Sequence, residues 1–353
     1  GNLNGNGSTV KLNMSFYRYG KDYDQYYNDI NINNTTSVDC KTGLGLFNNL
    51  IQSSDNENNT ISNLTISGHV DYEYYKDHSG KKNIIYENNS SFSCVGALAG
   101  VGSNLRLDKI QLEELSVNSC FVSGGIVGFA KKLVQIKDLK SDDLNVSANF
   151  FSGGIIGIAG NCNVKIDGSS DSEGLIRGSI TSGSISLVGD TSRGEGASLY
   201  GVGIGAAAVI GAFLNTNNTV LTSLSVTNIN IEDMDISAPL IGRAMLGGIV
   251  GCCGNTTAKN IQSRIQNVDI KNVDINKEVK RFAFNGGIIG LVKEGVKKCE
   301  ISNVKIIGDK NNKNTITGYR HSGGIIGLTS SDTIIDNCLI ENYEMITDEY
   351  GED

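Results

Sequence analysis

Two carboxylates flanking one bond, an acid with a base or nucleophile, are what glycoside cleavage requires. The chain offers Asp233 with Asp235 and Asp142 with Asp143. Residues two apart on a strand share one face, however, and carboxylates there are ordinarily its solvated side. The histidines His69, His78 and His321 sit in different parts of the chain, and no tryptophan is present to stack on a sugar ring. Gly201-Val-Gly203-Ile-Gly205 partly matches a dinucleotide-binding loop. That loop needs a strand before it, a helix after it and an acidic ribose partner about twenty residues on. Here it runs straight into Ala207-Ala-Val-Ile-Gly211, so core packing is expected. The ending Asp348-Glu-Tyr-Gly-Glu-Asp353 is a weak calcium candidate, and a solvated acidic tail is the simpler reading. We expect no catalytic residue, cofactor or metal.

Binding and modification chemistry is better supplied. Nine of the 13 tyrosines fall in the first quarter, in a patch from Tyr17 to Tyr27 and a second at Tyr72, Tyr74, Tyr75 and Tyr86. The first reads as an aromatic lid over a solenoid end; Tyr72, Tyr74 and Tyr75 are the candidate ligand platform. Eleven Asn-x-Ser/Thr sites occur, at Asn6, Asn13, Asn33, Asn34, Asn58, Asn63, Asn88, Asn89, Asn145, Asn217 and Asn255. Composition alone gives roughly six or seven, so the excess points modestly to a secreted glycoprotein. The eight cysteines lack paired C-x-x-C spacing, which argues against a zinc ribbon, and their even number suits disulfides.

What positions these residues is a repeated phrase. Ser322-GGIIG-Leu328 recurs as Asn285-GGIIG-Leu291, Leu246-GGIVG-Cys252, Ser152-GGIIG-Ile158 and Ser123-GGIVG-Phe129. Looser copies begin at Ala207, Gly96 and Gly45. The second glycine position falls at Gly45, Ala97, Gly125, Gly154, Ala208, Gly248, Gly287 and Gly324. The shortest step, 28 residues, suits one turn of a helical β-coil and is too short for a sandwich. Longer steps imply insertions, the largest near Val70–Phe92 and Gly168–Ala206.

After each phrase comes a strand such as Ile61-Ser-Asn-Leu64-Thr-Ile66 or Cys299-Glu-Ile301-Ser-Asn-Val304, read as having one face in a core. Paired glycines cost backbone entropy unless the chain bends or another segment approaches closely. Stacking the copies makes a ladder of Leu46, Leu98, Ile126, Ile155, Val209, Ile249, Ile288 and Ile325. Its neighbour, Phe47 through Ile326, is expected to face outward under inserted segments. Aligning Cys299-Glu-Ile-Ser-Asn with Cys338-Leu-Ile-Glu-Asn predicts that Cys299 and Cys338 stack directly, about 4.8 Å apart and within disulfide reach. Cys94 and Cys120 form a second candidate pair, with Cys40 as rival. Cys252 and Cys253 are expected on opposite faces, with Cys162 able to reach one of them.

The formal charge of −8 with scattered Lys and Arg disfavours nucleic acid and anionic membranes. No apolar run reaches the roughly 20 residues of a membrane-spanning helix. The chain starts at Gly1 rather than Met, as it would after removal of a signal peptide.

Gly323-GIIGLTSSDTIIDNC-Leu339, with Gly45-LF-Asn48 and Thr60-ISNLTIS-Gly68, resembles the GLUG-motif repeats of secreted and surface proteins. The opening GNLNGNGSTV is similar to the first turn of β-helical adhesin-like domains. The resemblance covers roughly Gly1 to Ile346, departing in its irregular spacing and long insertions. It implies a right-handed β-helix outside the cell and no catalytic residues.

The expected fold is all-β, a single β-solenoid: a right-handed parallel β-helix of about eight or nine coils with inserted loops. Residues 1–42 make an opening turn and Tyr-rich cap, 43–346 the repeats, and 347–353 an acidic tail. The expected function is a non-catalytic extracellular or cell-surface glycoprotein, structural or adhesive, either an adhesin or a filament subunit. Its partners would be copies of itself stacked end to end, other surface proteins or glycans. Alternatives are a carbohydrate-binding module using the tyrosines, and a β-helical polysaccharide lyase or hydrolase.

Overall fold

The computed structural model describes residues 2–19, 42–51, 58–75, 93–119, 121–148, 150–168, 174–182, 204–215, 219–238, 244–254, 260–276, 282–311 and 313–348. Within them the chain is all-β, and the pairings between strands are parallel, rung upon rung in the manner of a solenoid. The long strands build one side of each rung. Their side chains alternate, but the alternation is interrupted at intervals of about five residues by a backbone in the left-handed region. Asn104, Lys109 and Glu114 interrupt one rung, and Asn267 and Asn272 another. Each such residue adds one more position between inward-facing ones and bends the strand. Core positions are therefore spaced alternately two and three apart, as in Leu105, Leu107, Ile110, Leu112, Leu115 and Val117, all buried. Asparagine and aspartate dominate these bends because they tolerate this conformation better than other side chains with a Cβ.

The columns are continuous. One runs from Leu3 through Ile61, Leu107, Ile136, Ile166, Val226, Ile265 and Ile301 to Ile335. A second runs from Met14 through Val70, Val117, Val146, Ile180, Ile236, Ile275 and Ile316 to Met345. These aliphatic ladders form a single core cluster. Since no rung can bury its own inward face, each depends on its neighbours for stability.

The glycine phrases form the opposite edge. Gly96, Gly124, Gly153, Ala207, Gly247, Gly286 and Gly323 stack in register, as the repeat predicts. The first copy is one residue shorter at its corner, since Leu44 pairs with Val95 but Phe47 with Ala99. The second glycine and the first aliphatic residue form a bend, and strand resumes at the second aliphatic. Ile126 with Val127, Ile155 with Ile156, and Ile288 with Ile289 are all fully buried, so the second aliphatic column is covered along the interior rungs. The last glycine of the phrase is required by space. A Cβ on Gly128 would lie 2.6 Å from the Val95 nitrogen, and one on Gly290 2.6 Å from the Leu246 nitrogen.

The opening segment contributes a long strand, Asn2–Tyr19, paired with Asn59–Tyr75 on either side of a register break between Asn4 and Ser8. Part of the 168–206 insertion, Gly174–Ser182, is itself a rung between Val127–Ala148 and Thr222–Ser237.

Candidate functional site

One carboxylate of each pair singled out in the sequence stands at a bend. Asp233 and Asp143 both adopt the left-handed conformation, with φ of 48° and 52°. Asp233 accepts a hydrogen bond from Asn272 Nδ2 at 3.1 Å, and Asp143 one from Asn145 Nδ2 at 3.3 Å. His321 lies in register with Phe284 and stacks on its ring, 5.1 Å between centroids. Gly205 pairs with Phe151 and Met245 inside the ladder, as core packing requires. The acidic residues beyond Asp348 lie outside the described residues.

Tyr72 is 6% exposed and belongs to the core, so it cannot form a surface platform with Tyr74 and Tyr75. Those two are backbone partners of Arg18 and Tyr19, and their side chains lie outside the described residues, as does most of the Tyr-rich patch. Among the sequons, Asn6, Asn13 and Asn145 are exposed. Asn58 and Asn63 are half-buried, and Asn63 donates to Asn4 Oδ1 at 3.1 Å. Asn33, Asn34, Asn88, Asn89, Asn217 and Asn255 lie outside the described residues.

The cysteine register corrects the sequence alignment. Cys299 pairs with Thr333, and Cys338 pairs with Val304, so the two do not stack. Both are free thiols, as are Cys162, Cys252 and Cys253. Cys299 instead meets Ser263, whose hydroxyl donates to its sulfur at 3.2 Å. The strand position of Cys94 is opposite Val122; Cys120 and Cys40 lie outside the described residues. Cys252 and Cys253 are both fully buried, one stacked on Ala212 and Leu291, the other on Phe213 and Val292. Burial pushes the Cys252 thiol up to about 12 and raises Cys162 and Cys253 as well. These are core residues in chemistry as well as position.

Two polar features carried no weight in the sequence reading. The first is a ladder of side-chain amides at one bend. Asn228 donates to Asp167, Asn267 to Asn228, Asn303 to Asn267 and Asn337 to Asn303, at 2.8, 3.1, 3.1 and 2.7 Å. Its signal was an asparagine preceding the third core position in Thr227-Asn-Ile, Gln266-Asn-Val, Ser302-Asn-Val and Asp336-Asn-Cys. The second is a charge cluster across three rungs. Glu232 receives Arg177 at 2.7 Å and Lys271 at 3.3 Å, with Asp233 3.9 Å from the Arg177 guanidinium.

The rungs at either end differ from the rest. Leu3 is 42% exposed, and in the last rung Ile335 and Met345 are 50% and 53% exposed, although their columns are buried between. The outward column of Arg106, Gln135, Lys165, Ser225, Arg264 and Glu300 also turns apolar there, at Ile334. Five of the nine large hydrophobics exposed among the described residues, Ile334, Ile335, Leu339, Met345 and Ile346, lie on this rung.

No family model, curated protein or solved structure matches this chain. No helix in the described residues is long and apolar enough to cross a membrane.

Proposed function

We propose that this chain is a non-catalytic structural or adhesive glycoprotein of the cell exterior, a GLUG-like right-handed β-helix of eight or nine coils. The observation that carries this reading is the pair of unbroken aliphatic columns from Leu3 to Ile335 and from Met14 to Met345. Each rung repeats the same inward choices, and one carboxylate of each pair that resembled a reactive site, Asp233 and Asp143, is engaged at a bend. Such a chain makes a stiff rod whose side faces and ends meet partners. The exposed sequons Asn6, Asn13 and Asn145 support an extracellular setting.

The test is mass spectrometry of the protein isolated from its native source. Glycans on Asn6, Asn13 or Asn145 support the reading. Unmodified asparagines on a protein recovered only from the cell interior would overturn it, and turnover of an acidic polysaccharide would overturn its non-catalytic part.

A further inference from the structure

Basic residues that are far apart in the sequence are gathered by the fold onto one outward column. Strand pairing sets Arg106 beside Gln135, Gln135 beside Lys165, Lys165 beside Ser225 and Ser225 beside Arg264. Thr60 precedes this run and Glu300 follows it, so each of the five residues has a rung on both sides. Rungs are about 4.8 Å apart, which puts a cation at every second step, roughly 9.6 Å from the next. An amide and a hydroxyl stand between the cations. Arg106, Lys165 and Arg264 are exposed, and none of the three makes an ion pair among the described residues. Glu300, the first carboxylate on the column, is engaged by Lys298 at 2.5 Å, with Arg264 a weaker neighbour.

The outward column beside it, nearer the start of each strand, has a similar character. Leu133, Asn163, Ser223, Gln262 and Lys298 follow one another there, again without a carboxylate. Asn163 Oδ1 accepts from the Ser223 N–H and hydroxyl at 2.9 and 3.0 Å, which fixes its amide on the surface. On the other side, the column of Asp108, Lys137 and Asp167 alternates in sign and offers an anion no net attraction.

We infer that this two-column strip binds a linear acidic polysaccharide that carries a carboxylate on alternate sugar rings and lies along the solenoid axis. The inference rests on the reading of the chain as an extracellular adhesive rod and names a ligand for its side face. The first argument is spacing. A chain of β-linked pyranose rings advances by close to one rung per ring, so alternate carboxylates fall where Arg106, Lys165 and Arg264 stand. The neutral rings between them meet Gln135 and Ser225, whose amide and hydroxyl both donate to and accept from sugar hydroxyls.

The second argument is preorganisation. Backbone pairing on both sides of every strand sets the positions of the comb before a ligand arrives, which lowers the cost of ordering on binding. The third is charge density. A single-stranded nucleic acid carries a phosphate on every unit and stacks its bases on aromatic side chains. Neither column contains an aromatic residue, and a net charge of −8 opposes a dense polyanion.

Isothermal titration calorimetry of the whole chain tests this, with hyaluronan and unsulfated chondroitin oligosaccharides, both acidic on alternate rings. The expected result is binding that weakens with added salt as the exposed charges are screened, and no binding of a neutral chitin oligosaccharide. Arg106→Gln, Lys165→Gln and Arg264→Gln should each weaken binding about threefold, and the triple variant roughly tenfold or more. Lys137→Gln removes an equal charge from the neighbouring column and should leave the affinity unchanged. All four positions are exposed, so the variants keep the fold. Failure of both acidic glycans to bind, an equal loss from Lys137→Gln, or tighter binding of single-stranded oligothymidylate would overturn the inference. Glycosylation at Asn145 of a protein that binds neither oligosaccharide would leave the extracellular structural reading standing. Binding by a protein recovered only from the cell interior would strike that reading and leave the strip.

Discussion

Asn337 donates its side-chain Nδ2 to Asn303 Oδ1 at 2.7 Å, and this contact identifies which bend of the last rung lies over which bend of the one before. Asn303 and Asn337 share the left-handed conformation, at φ 53° and 50°. The ladder they belong to satisfies amides at one of the bends that each rung makes. Asn267 stands in its middle, donating to Asn228 and accepting from Asn303.

Substituting Asn267 separates two contributions. Asn267→Gly removes both amide bonds but keeps a residue at ease at φ 54°. Asn267→Ala removes the same bonds and adds the left-handed penalty of a Cβ, about 1 kcal/mol. Urea unfolding should show Gly losing about 1 kcal/mol for the exposed bonds and Ala losing about twice that. Equal losses would mean the conformation contributes nothing at this bend.

The same ladder explains how far the sequence could be read. The glycine phrases recur at one place per rung, so their stacking was legible from Gly96 onward. Within the long strands the bends recur about every five residues, and Asn337 and Asn342 are successive bends of one rung. Cys299-x-Ile-x-Asn303 therefore matches Cys338-x-Ile-x-Asn342 as a string. The hydrogen bond shows that Asn303 belongs with Asn337, one bend earlier. The slip displaced the predicted cysteine partner by five positions, from Thr333 to Cys338. The exposed last rung was hidden for a different reason. Ile334 and Ile335 read as ordinary strand residues until it is known that no described strand lies beyond them.

Thiol labelling should follow the corrected register. Cys162, Cys252, Cys253 and Cys299 are fully buried, and the first three thiols are pushed up by that burial. Cys338, half-buried on the last rung, should react with iodoacetamide in the native protein, with the other four protected until unfolding. Peptide mapping after brief labelling at pH 8 reads this directly. Native labelling of Cys252 at a rate comparable to Cys338 would contradict its placement between Ala212 and Leu291.

The two kinds of glycine in the phrase should respond differently to alanine. Position two already holds alanine at Ala97 and Ala208, so the corner accepts a methyl group when neighbouring rungs adjust. The final glycine faces backbone on several sides. A Cβ on Gly290 would sit 2.6 Å from the Leu246 nitrogen and 2.7 Å from the Gly251 and Phe284 oxygens. Gly290→Ala should cost about 3 kcal/mol, the upper part of the range for overpacking, or yield insoluble protein. A Cβ on Gly248 would also press on backbone, the Gly287 carbonyl oxygen, but from one direction that the alanine-bearing rungs already accommodate, so Gly248→Ala should cost less than half of that in the same thermal unfolding assay. Similar losses at the two sites would show that close approach is shared along the whole phrase.

Acid should weaken the solenoid partly through Glu232. Its carboxylate lies against Arg177 at 2.7 Å and Lys271 at 3.3 Å, and hydrogen bonding from Arg177 is the main cause that holds its pKa below the usual carboxylate range. The folded chain thus takes up this proton at lower pH than the unfolded chain, whose glutamate titrates near about 4.3. The resulting stabilisation is complete above that value and is lost as pH falls through the depressed folded value. Its size is limited, because the Arg177 and Lys271 side chains are 38% and 41% exposed, and pairs of that kind contribute about 0.5–1 kcal/mol. Glu232→Gln should lower stability by about that much at pH 7 and by almost nothing at pH 3. Thermal melts of both proteins from pH 7 to pH 3 should therefore converge on the acid side. A constant gap would mean that Glu232 contributes through packing across its three rungs, with its charge playing no part.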